Sequence, residues 1–331
     1  MLTFAVNFFV MDFTLENFSG MVDSALATLK YPKTAPALFA PVAYTFEGGG
    51  KRLRPCLTLA VYSALTHQNP ENALNQALAV EMFHNFTLLH DDVMDRAEIR
   101  RGRPTVHCRW NDNVAILSGD AMLTYATQLL AKEAGDKLDK MLDMFNKTAM
   151  EVYQGQQLDM EFESRNNVSI SEYLEMIGLK TSVLLGCACA LGAIKADASD
   201  KDTEAMYSYG FKMGLAFQLR DDWLDTFGDP AIFGKEIGGD IINNKKTWLL
   251  ITAHEEEPDE IEGILSEDLE NHEKISQVIR VYNHLNLSSR CDELCIEMAQ
   301  RAIESLNKVT MDADARNFFI SLAHKAATRT H

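Results

Sequence analysis

The sequence predicts an all-α fold. Three observations carry that reading. Glycine and proline are scarce, at 18 and 8 of 331 residues. The long apolar-periodic stretches are rich in Ala, Leu, Met, Glu and Lys, which favour helix. No stretch has the composition of a linker. Length alone would suggest two domains. Without a linker, residues 1–331 read as one large domain, long enough to bury a sizeable core. Met11 is an alternative start, which would put residues 1–10 upstream of it.

The elements follow in order. Leu15 to Leu29 reads as an amphipathic helix that ends near Tyr31-Pro32. Pro36 to Tyr44 precedes a glycine-rich basic turn, "EGGGKRLRPCL", Glu47 to Leu57. A helix then runs to about Leu65, with a loop at Thr66–Pro70. Asn72 to Ala97 reads as one long helix, stopped before "RRGRP" by Gly102 and Pro104. Helices are predicted at 113–133, 136–162, 171–193 and 202–227. "FGDPAIFGKEIGGDIINNKK", Phe227 to Lys246, is the longest irregular segment. Helices resume from Thr247, and "HEEEPDEIEG", His254 to Gly263, reads as a solvated acidic loop.

Composition excludes several functions. The net charge is −17, with 48 acidic against 31 basic residues. A nucleic-acid binder would show a basic face, so that class is disfavoured. An anionic substrate remains compatible if cations are concentrated locally. The six cysteines form no CxxC pair and read as reduced thiols in a cytoplasmic setting. "MLTFAVNFFVMDF" is apolar but short, uncharged at its front and without a cleavage pattern. It predicts neither a signal peptide nor a spanning helix. No other apolar run reaches spanning length without a charge or a glycine break.

Two stretches carry chemistry. "LLHDDVMDRAEIRRG", Leu88 to Gly102, and "FQLRDDWLD", Phe217 to Asp225, repeat one acidic spacing. Residues three and four apart share a helix face. Asp91 and Asp95 therefore project together, with Leu88 and His84 on their stripe and Asp92 beside them. Asp221 and Asp225 project together with Gln218 and Gly214, and Asp222 lies beside them. Close carboxylates repel. Oxygen-rich clusters of this kind suit Mg²⁺ shared with substrate phosphates. One such cluster could be a solvated helix face; two copies, each after an apolar run, point to metal binding at a cavity mouth. Cations complete the pattern. Lys51, Arg52 and Arg54 lie on a turn whose glycines would let backbone N–H groups approach an anion. Arg100 and Arg101 can turn back from the helix end, and Lys235, Lys245 and Lys246 form a third group. Arginine favours bidentate phosphate contact, and lysine acts as a point charge.

With "GGGKRLRP", both DDxxD motifs, "GQQLD" and "GKEIGGDIINNKKTWL" in this order, the chain resembles the trans-isoprenyl diphosphate synthases of the polyprenyl synthetase family. The resemblance covers nearly the whole chain. It implies a single-domain barrel of long antiparallel helices around a deep central cavity, as a homodimer. It also implies head-to-tail condensation of isopentenyl diphosphate with an allylic diphosphate (dimethylallyl, geranyl or farnesyl), using Mg²⁺, three ions with substrate bound. Asp91, Asp95 and Asp221 resemble the family's metal ligands. Asp92 supports the first set, and Asp222 and Asp225 hold metal-bound waters in the second. Lys51, Arg54, His84 and Arg101 match the isopentenyl diphosphate site. Arg100, Lys180, Thr181, Gln218, Lys235 and Lys245 match the allylic site. Gln156 and Asp159 of "GQQLD" match positions facing the reacting centre.

The residue types suit ionisation of an allylic C–O bond. Lys180, Thr181 and Gln218 offer a carbonyl, a hydroxyl and an amide dipole near a cation without a strong nucleophile. No side-chain base stands out, and the released diphosphate can take the proton. His84 reads as a substrate-binding group, with a satisfied core histidine as the other reading. His90 reads as a core histidine, and His107 is unassigned. A class I terpene cyclase and a non-catalytic subunit of a hetero-oligomeric synthase are the alternatives. The first would not need the Lys51/Arg54 turn with Arg101, and the second normally loses its acidic motifs. An EF-hand is excluded by the ligand spacing.

Product length is read on the helix before Asp91. An isoprene unit spans roughly 5 Å and a helical turn about 5.4 Å, so each unit passes one turn. An aromatic Phe86, small Thr87 and an uninterrupted first motif resemble a short-chain synthase, with twenty carbons favoured over fifteen. Ideal phase puts Phe86 about 140° from Asp91, Phe83 about 80° and Thr87 about 40°. Phase and resemblance thus disagree. Phe86 is taken as the floor residue on the resemblance, because long helices seldom stay straight.

Overall fold

The computed structural model describes residues 13–229 and 237–330. The fold is all-α. In chain order the helices are α1 (Leu15–Ala27), α2 (Pro36–Glu47), α3 (Leu53–Thr66), α4 (Leu74–Met94), α5 (Val106–Arg109), α6 (Asp112–Ala131), α7 (Leu138–Ser164), α8 (Ile170–Ile177), α9 (Val183–Lys195) and α10 (Asp200–Phe227). After the undescribed segment come α11 (Gly239–Ile242), α12 (Trp248–Glu256), α13 (Pro258–Ser266), α14 (Asn271–His284), α15 (Leu287–Ser305) and α16 (Ala313–Thr328). Strands β1 (Ile99–Arg100) and β2 (Arg103–Pro104) pair antiparallel as a small ribbon. Side-chain caps fix several starts: Asn111 accepts from the Val114 N–H, and Ser169 forms a capping box with Glu172.

The residues pack as two compact units. One holds the chain up to Asn146, Ala188–Glu204 and Thr310–Ala315; the other holds Lys147–Cys187, Ala205–Val309 and Arg316 onward. The chain crosses between them several times, which is why no linker composition marks a boundary. In the first unit α3 is buried from Pro55 to Ala64 without a break. An all-round buried helix belongs to a core rather than a surface. Its Thr58 hydroxyl donates to the Ala188 carbonyl at 2.8 Å. Arg52 precedes α3 at φ 49° and is buried, holding Glu81 at 2.7 Å and Asp23 at 2.8 Å. It is therefore a structural cation, not part of an exposed basic turn. In the second unit the Tyr209 hydroxyl donates to the Phe319 carbonyl at 2.8 Å, and Arg220 holds Asp292 at 2.7 Å.

Two expectations change. The acidic stretch 254–263 is helical, not a loop, with only Glu257 between α12 and α13. Pro258 at the first helical position and Asp259 and Glu260 in the first turn favour a helix start there. The helix predicted to Ala97 ends at Met94. Arg96 takes φ 52°, its N–H reaches the Val93 carbonyl, and the Ala97 N–H reaches that of Asp92. That is a left-handed C-terminal cap made by a non-glycine residue. Asp112–Ala131 and Ile170–Lys195 are each long and apolar enough to cross a membrane by composition, though Gly119 and Asp120 interrupt the first and Gly178 and Lys180 the second, as expected. In the second, 83% of the apolar window is buried inside the protein, against 39% in the first.

Between α8 and α9 the chain makes a single π-turn, Gly178–Ser182. Two glycines permit it. A Cβ on Gly155 of α7 would lie 2.2 Å from the Lys180 nitrogen, and one on Gly214 of α10 would lie 2.7 Å from the Ser182 Cα. Both contacts are with backbone, so neither can be relieved by a side-chain rotation. The widened turn places Lys180 and Thr181, and wide turns of this kind recur at functional sites.

Candidate active site

The first acidic motif occupies the last turn of α4. Asp95 is the C-terminal cap residue, and its N–H donates to the Asp91 carbonyl at 2.8 Å. A helix C-terminus carries partial negative charge, so three aspartates there are placed against the field. Protein cations answer part of it. Asp92 is 4% exposed and accepts from Arg100 Nε at 2.7 Å. Burial still pushes the Asp92 carboxyl above its ordinary range, with Arg100 working against that shift. Asp91 is half-buried and Asp95 exposed.

The expected cation site assembles in the same unit. Arg101, at φ 52° in the ribbon turn, donates through Nη1 to the Gly49 carbonyl. The Arg101 guanidinium carbon lies 3.1 Å from where a Cβ on Gly50 would be, and Gly50 has φ 147°. The glycine turn therefore opens room for Arg101 and offers it a carbonyl, in place of the anion-facing N–H groups expected. Arg54 Nη1 lies 3.3 Å from His84 Nε2. A guanidinium has no acceptor, so it donates, and the His84 proton sits on Nδ1. Burial, then Arg54, Arg101, Arg100 and Arg52, hold His84 well below the usual imidazole range. His84 is a neutral group within a cationic cluster, and Lys51 is exposed on the adjacent turn.

The second unit holds a cavity of about 220 Å³ lined by carboxylates and lysines. Asp159 on α7 bridges Lys180 at 2.5 Å and Lys245 at 3.9 Å. Thr181 donates to Gln218 Oε1 at 3.0 Å, and Gln218 Nε2 donates to Asp222 Oδ1 at 2.9 Å. The other Asp222 oxygen accepts from the Tyr173 hydroxyl at 2.6 Å. With both oxygens engaged and 7% exposure, Asp222 acts here as a positioning acid. Burial raises its carboxyl to about 7. Asp240 is raised to about 8 by burial and by Asp222 and Asp225. Asp225 Oδ2 accepts from the Asp240 N–H at 2.9 Å, so it anchors the start of α11. Asp221, about a third exposed, is paired with Arg329. Gln156 is 8% exposed, and its amide atoms have no hydrogen-bond partner among the described residues. Lys235 lies outside the described residues.

No three His, Cys, Asp or Glu groups among the described residues close into a preformed metal cage. The donors on both motifs are all oxygen. Such open carboxylate sets suit Mg²⁺, which keeps waters and completes its shell with substrate phosphates. Tyr173, Asp240 and Arg329 are site residues that the motif reading missed. Asp240 lay within a quoted stretch, "GGDIIN", but no spacing singled it out. Tyr173 and Arg329 carry no local pattern.

The residues proposed for chain length sit in the first unit. Phe86 is 5% and Phe83 1% exposed. Their rings are 5.5 Å apart, Phe83 meets Phe145 at 5.2 Å, and Phe86 meets His90 edge-on at 4.8 Å. His90 Nε2 lies 3.0 Å from the Ile116 carbonyl. A Cβ on Gly119 would fall 2.3 Å from that nitrogen, so glycine makes the space. His90 is thus a packing histidine. Thr87 donates to the His84 carbonyl of its own helix.

The sequence profile of the polyprenyl synthetase family matches residues 35–283. A geranylgeranyl diphosphate synthase of Methanosarcina mazei is 42% identical over 244 residues, covering 73% of this chain and 75% of that one. A geranylfarnesyl diphosphate synthase of Natronomonas pharaonis is 31% identical over 311 residues, covering 89% and 90%. The crystal structure of a geranylgeranyl pyrophosphate synthase matches with a TM-score of 0.92 at 39% identity, over 97% of this chain and 100% of that one.

The depressed His84 basicity gives a pH prediction. The unfolded chain takes up a proton at the ordinary value of 6.5, while the folded chain resists it. His84 therefore contributes stability at neutral pH that is lost as pH falls through 6.5. The His84 ring should stay neutral and Nδ1-protonated at pH about 6 in a ¹⁵N NMR titration, where an unperturbed imidazole would be largely charged. A ring that titrates near its ordinary value would contradict the assignment.

Proposed function

This chain belongs to the polyprenyl synthetase family, and we propose that it is a short-chain trans-prenyltransferase. It joins isopentenyl diphosphate head-to-tail to an allylic diphosphate. One observation carries the reading: each acidic motif has its own cation set. The first motif lies beside the Arg54, His84 and Arg101 cluster. The second lies on a cavity with Lys180 and Lys245. Two anion-binding sets suit a reaction with two diphosphate substrates. A cyclase would need one.

Lys51, Arg54 and Arg101 bind the isopentenyl diphosphate, and neutral His84 donates its Nδ1 proton within that site. Lys180 and Lys245 bind the allylic diphosphate; Arg100, which the resemblance matches to the same substrate, is engaged with Asp92. Mg²⁺ held by Asp91, Asp95 and Asp221 would neutralise charge building on the departing diphosphate. Asp92, Asp222 and Asp225 position these groups through Arg100, through Tyr173 and Gln218, and through the Asp240 N–H. The locked Thr181–Gln218 pair presents fixed dipoles to the developing allylic cation and no strong nucleophile. Gln156, buried without a partner, offers a further amide. The half-buried α6 exposes Ile116 at 44% and Leu117 at 59%. Such an apolar helix face supports a homodimer. Six free cysteines, five of them buried, suit the reducing cytoplasm.

The test is release of diphosphate in the presence of Mg²⁺. Release should require both the allylic substrate and isopentenyl diphosphate. Release with the allylic substrate alone would favour a cyclase, and no release would favour a non-catalytic subunit. Asp91→Ala or Asp221→Ala should cut turnover by orders of magnitude with helix content unchanged; near-normal turnover in either would reject the metal assignment.

The residues matched to the two substrates should separate in steady-state kinetics. Lys51→Ala or Arg54→Ala should chiefly raise the apparent KM for isopentenyl diphosphate. Arg100→Ala should chiefly weaken the allylic substrate. Reversed effects would reject the assignment of subsites.

The product is proposed to have twenty carbons, as the names of several relatives support. Phe86→Ala should lengthen it by one or more isoprene units, and Phe83→Ala should do so less. Chromatography of the dephosphorylated products reads this directly. An unchanged product from Phe86→Ala with a longer one from Phe83→Ala would give the floor to Phe83.

A further inference from the structure

The last described turn of the chain reaches the second acidic motif. Arg329 follows α16, and its N–H still donates to the Lys325 carbonyl at 3.0 Å. Its guanidinium pairs with Asp221, lies 3.9 Å over the Phe217 ring and donates through Nη2 to the Phe217 carbonyl at 3.3 Å. The backbone is held as well. Arg220 Nε donates to the Arg329 carbonyl at 2.9 Å, and Arg220 is itself fixed on Asp292 at 2.7 Å and stacked 3.9 Å over Trp223. The Arg329 side chain is 14% exposed, and its Nε is buried without a hydrogen-bond partner among the described residues.

Asp221 differs from Asp222 in what engages it. The Asp222 oxygens take neutral donors, Tyr173 and Gln218, and an Asp225 oxygen takes a backbone N–H. Asp221 takes a full positive charge delivered from the chain end. A guanidinium and a divalent cation compete for the same carboxylate charge. A diphosphate also offers the anionic oxygens that a guanidinium fork pairs with.

We infer that Arg329 is a resident counter-cation for Asp221, which weakens metal binding at the second motif until a diphosphate draws the guanidinium away. This rests on the reading of Asp221 as a metal ligand. Asp221 would then gain affinity for metal when the diphosphate substrate is present, because the substrate takes over the cation that competes for it. Coupling of this kind between two ligands commonly changes affinity about tenfold. Arg329 is a positioning residue in this scheme, acting through Asp221.

The experiment uses the full chain and Mn²⁺ alone, without substrate, read by calorimetry and by the EPR signal of free Mn²⁺. Arg329→Met keeps the backbone carbonyl that Arg220 holds and much of the side-chain length. It should tighten the Mn²⁺ affinity of this site about tenfold. Arg329→Lys, which keeps a positive charge, should stay within about threefold of wild type, a difference a purely structural role would not produce. Should Arg329→Met not fold, as judged by its melting curve, Arg329→Gln decides on the same criterion. Unchanged or weaker Mn²⁺ binding in the folded neutral variant overturns the inference. Asp221→Asn separates the two readings. If it abolishes the site while Arg329→Met changes nothing, the counter-cation idea alone fails. If it leaves Mn²⁺ binding intact, the metal reading of Asp221 fails and the inference fails with it.

Discussion

Carboxylates crowded into partly buried surroundings repel one another, and the rest of the candidate site is organised around that repulsion. Each aspartate described in detail has a specific answer. Asp92 has Arg100, Asp159 has Lys180 and Lys245, Asp221 has Arg329, and Asp222 has Tyr173 and Gln218. These answers are incomplete. Asp222 and Asp240 remain raised to about 7 and about 8, by burial first and then by neighbouring carboxylates. Shifts of that size come from burial first and from neighbouring acids second. A divalent cation would oppose both causes. The same burial and crowding that disfavour the isolated carboxylates therefore favour a metal-bound cluster.

Position within helices sharpens the same conflict. The first motif sits at the C-terminal end of α4, where the helix field adds to the repulsion. The chain could end that helix with a glycine, but Arg96 takes the left-handed position instead. The second motif is in α10, close to its C-terminal end at Phe227. Both clusters thus stand where a cation, rather than another anion, is stabilised. The cations proposed to bind diphosphate lie on separate elements: the turn before α3, the ribbon, the π-turn and the segment before α12. Rigid placement of those groups depends on close backbone approaches. Gly155 and Gly214 flank the π-turn, and Gly50 admits Arg101.

What the sequence disclosed follows from what period and spacing can encode. Helical period and scarce Gly and Pro were enough for the all-α class. The duplicated DDxxD spacing was enough to locate both acidic clusters. The Arg54, His84 and Arg101 grouping was also reached from motifs. The failures share one cause, since they concern partners distant in the chain. Arg52 looked like another exposed cation until Glu81 and Asp23 were found against it. Asp222 read as a holder of metal-bound water, and its partner Tyr173, 49 residues away, carried no signal. Arg329 is more than a hundred residues from the carboxylate it meets. The stretch 254–263 was misread for a different reason: its charge resembled a loop, while Pro258 and the acids after it are a helix start.

The phase conflict on α4 has a physical resolution in the packing. Helical phase separates Phe83 and Phe86 from Asp91 by different angles, as though only one could lie below it. The two rings touch, at 5.5 Å between centroids, so they form one apolar wall rather than rival positions. They are backed differently. Phe83 leans on another aromatic, Phe145, deep in the unit. Phe86 leans on His90, whose place depends on Gly119 having no side chain. An aromatic backed by a buried aromatic has little room to move, and its removal leaves a cavity walled by other rings. Phe86 is backed by a partly exposed histidine tied to a backbone carbonyl. A shared wall explains why phase and resemblance point to different residues of one feature, since each ring is packed against the other.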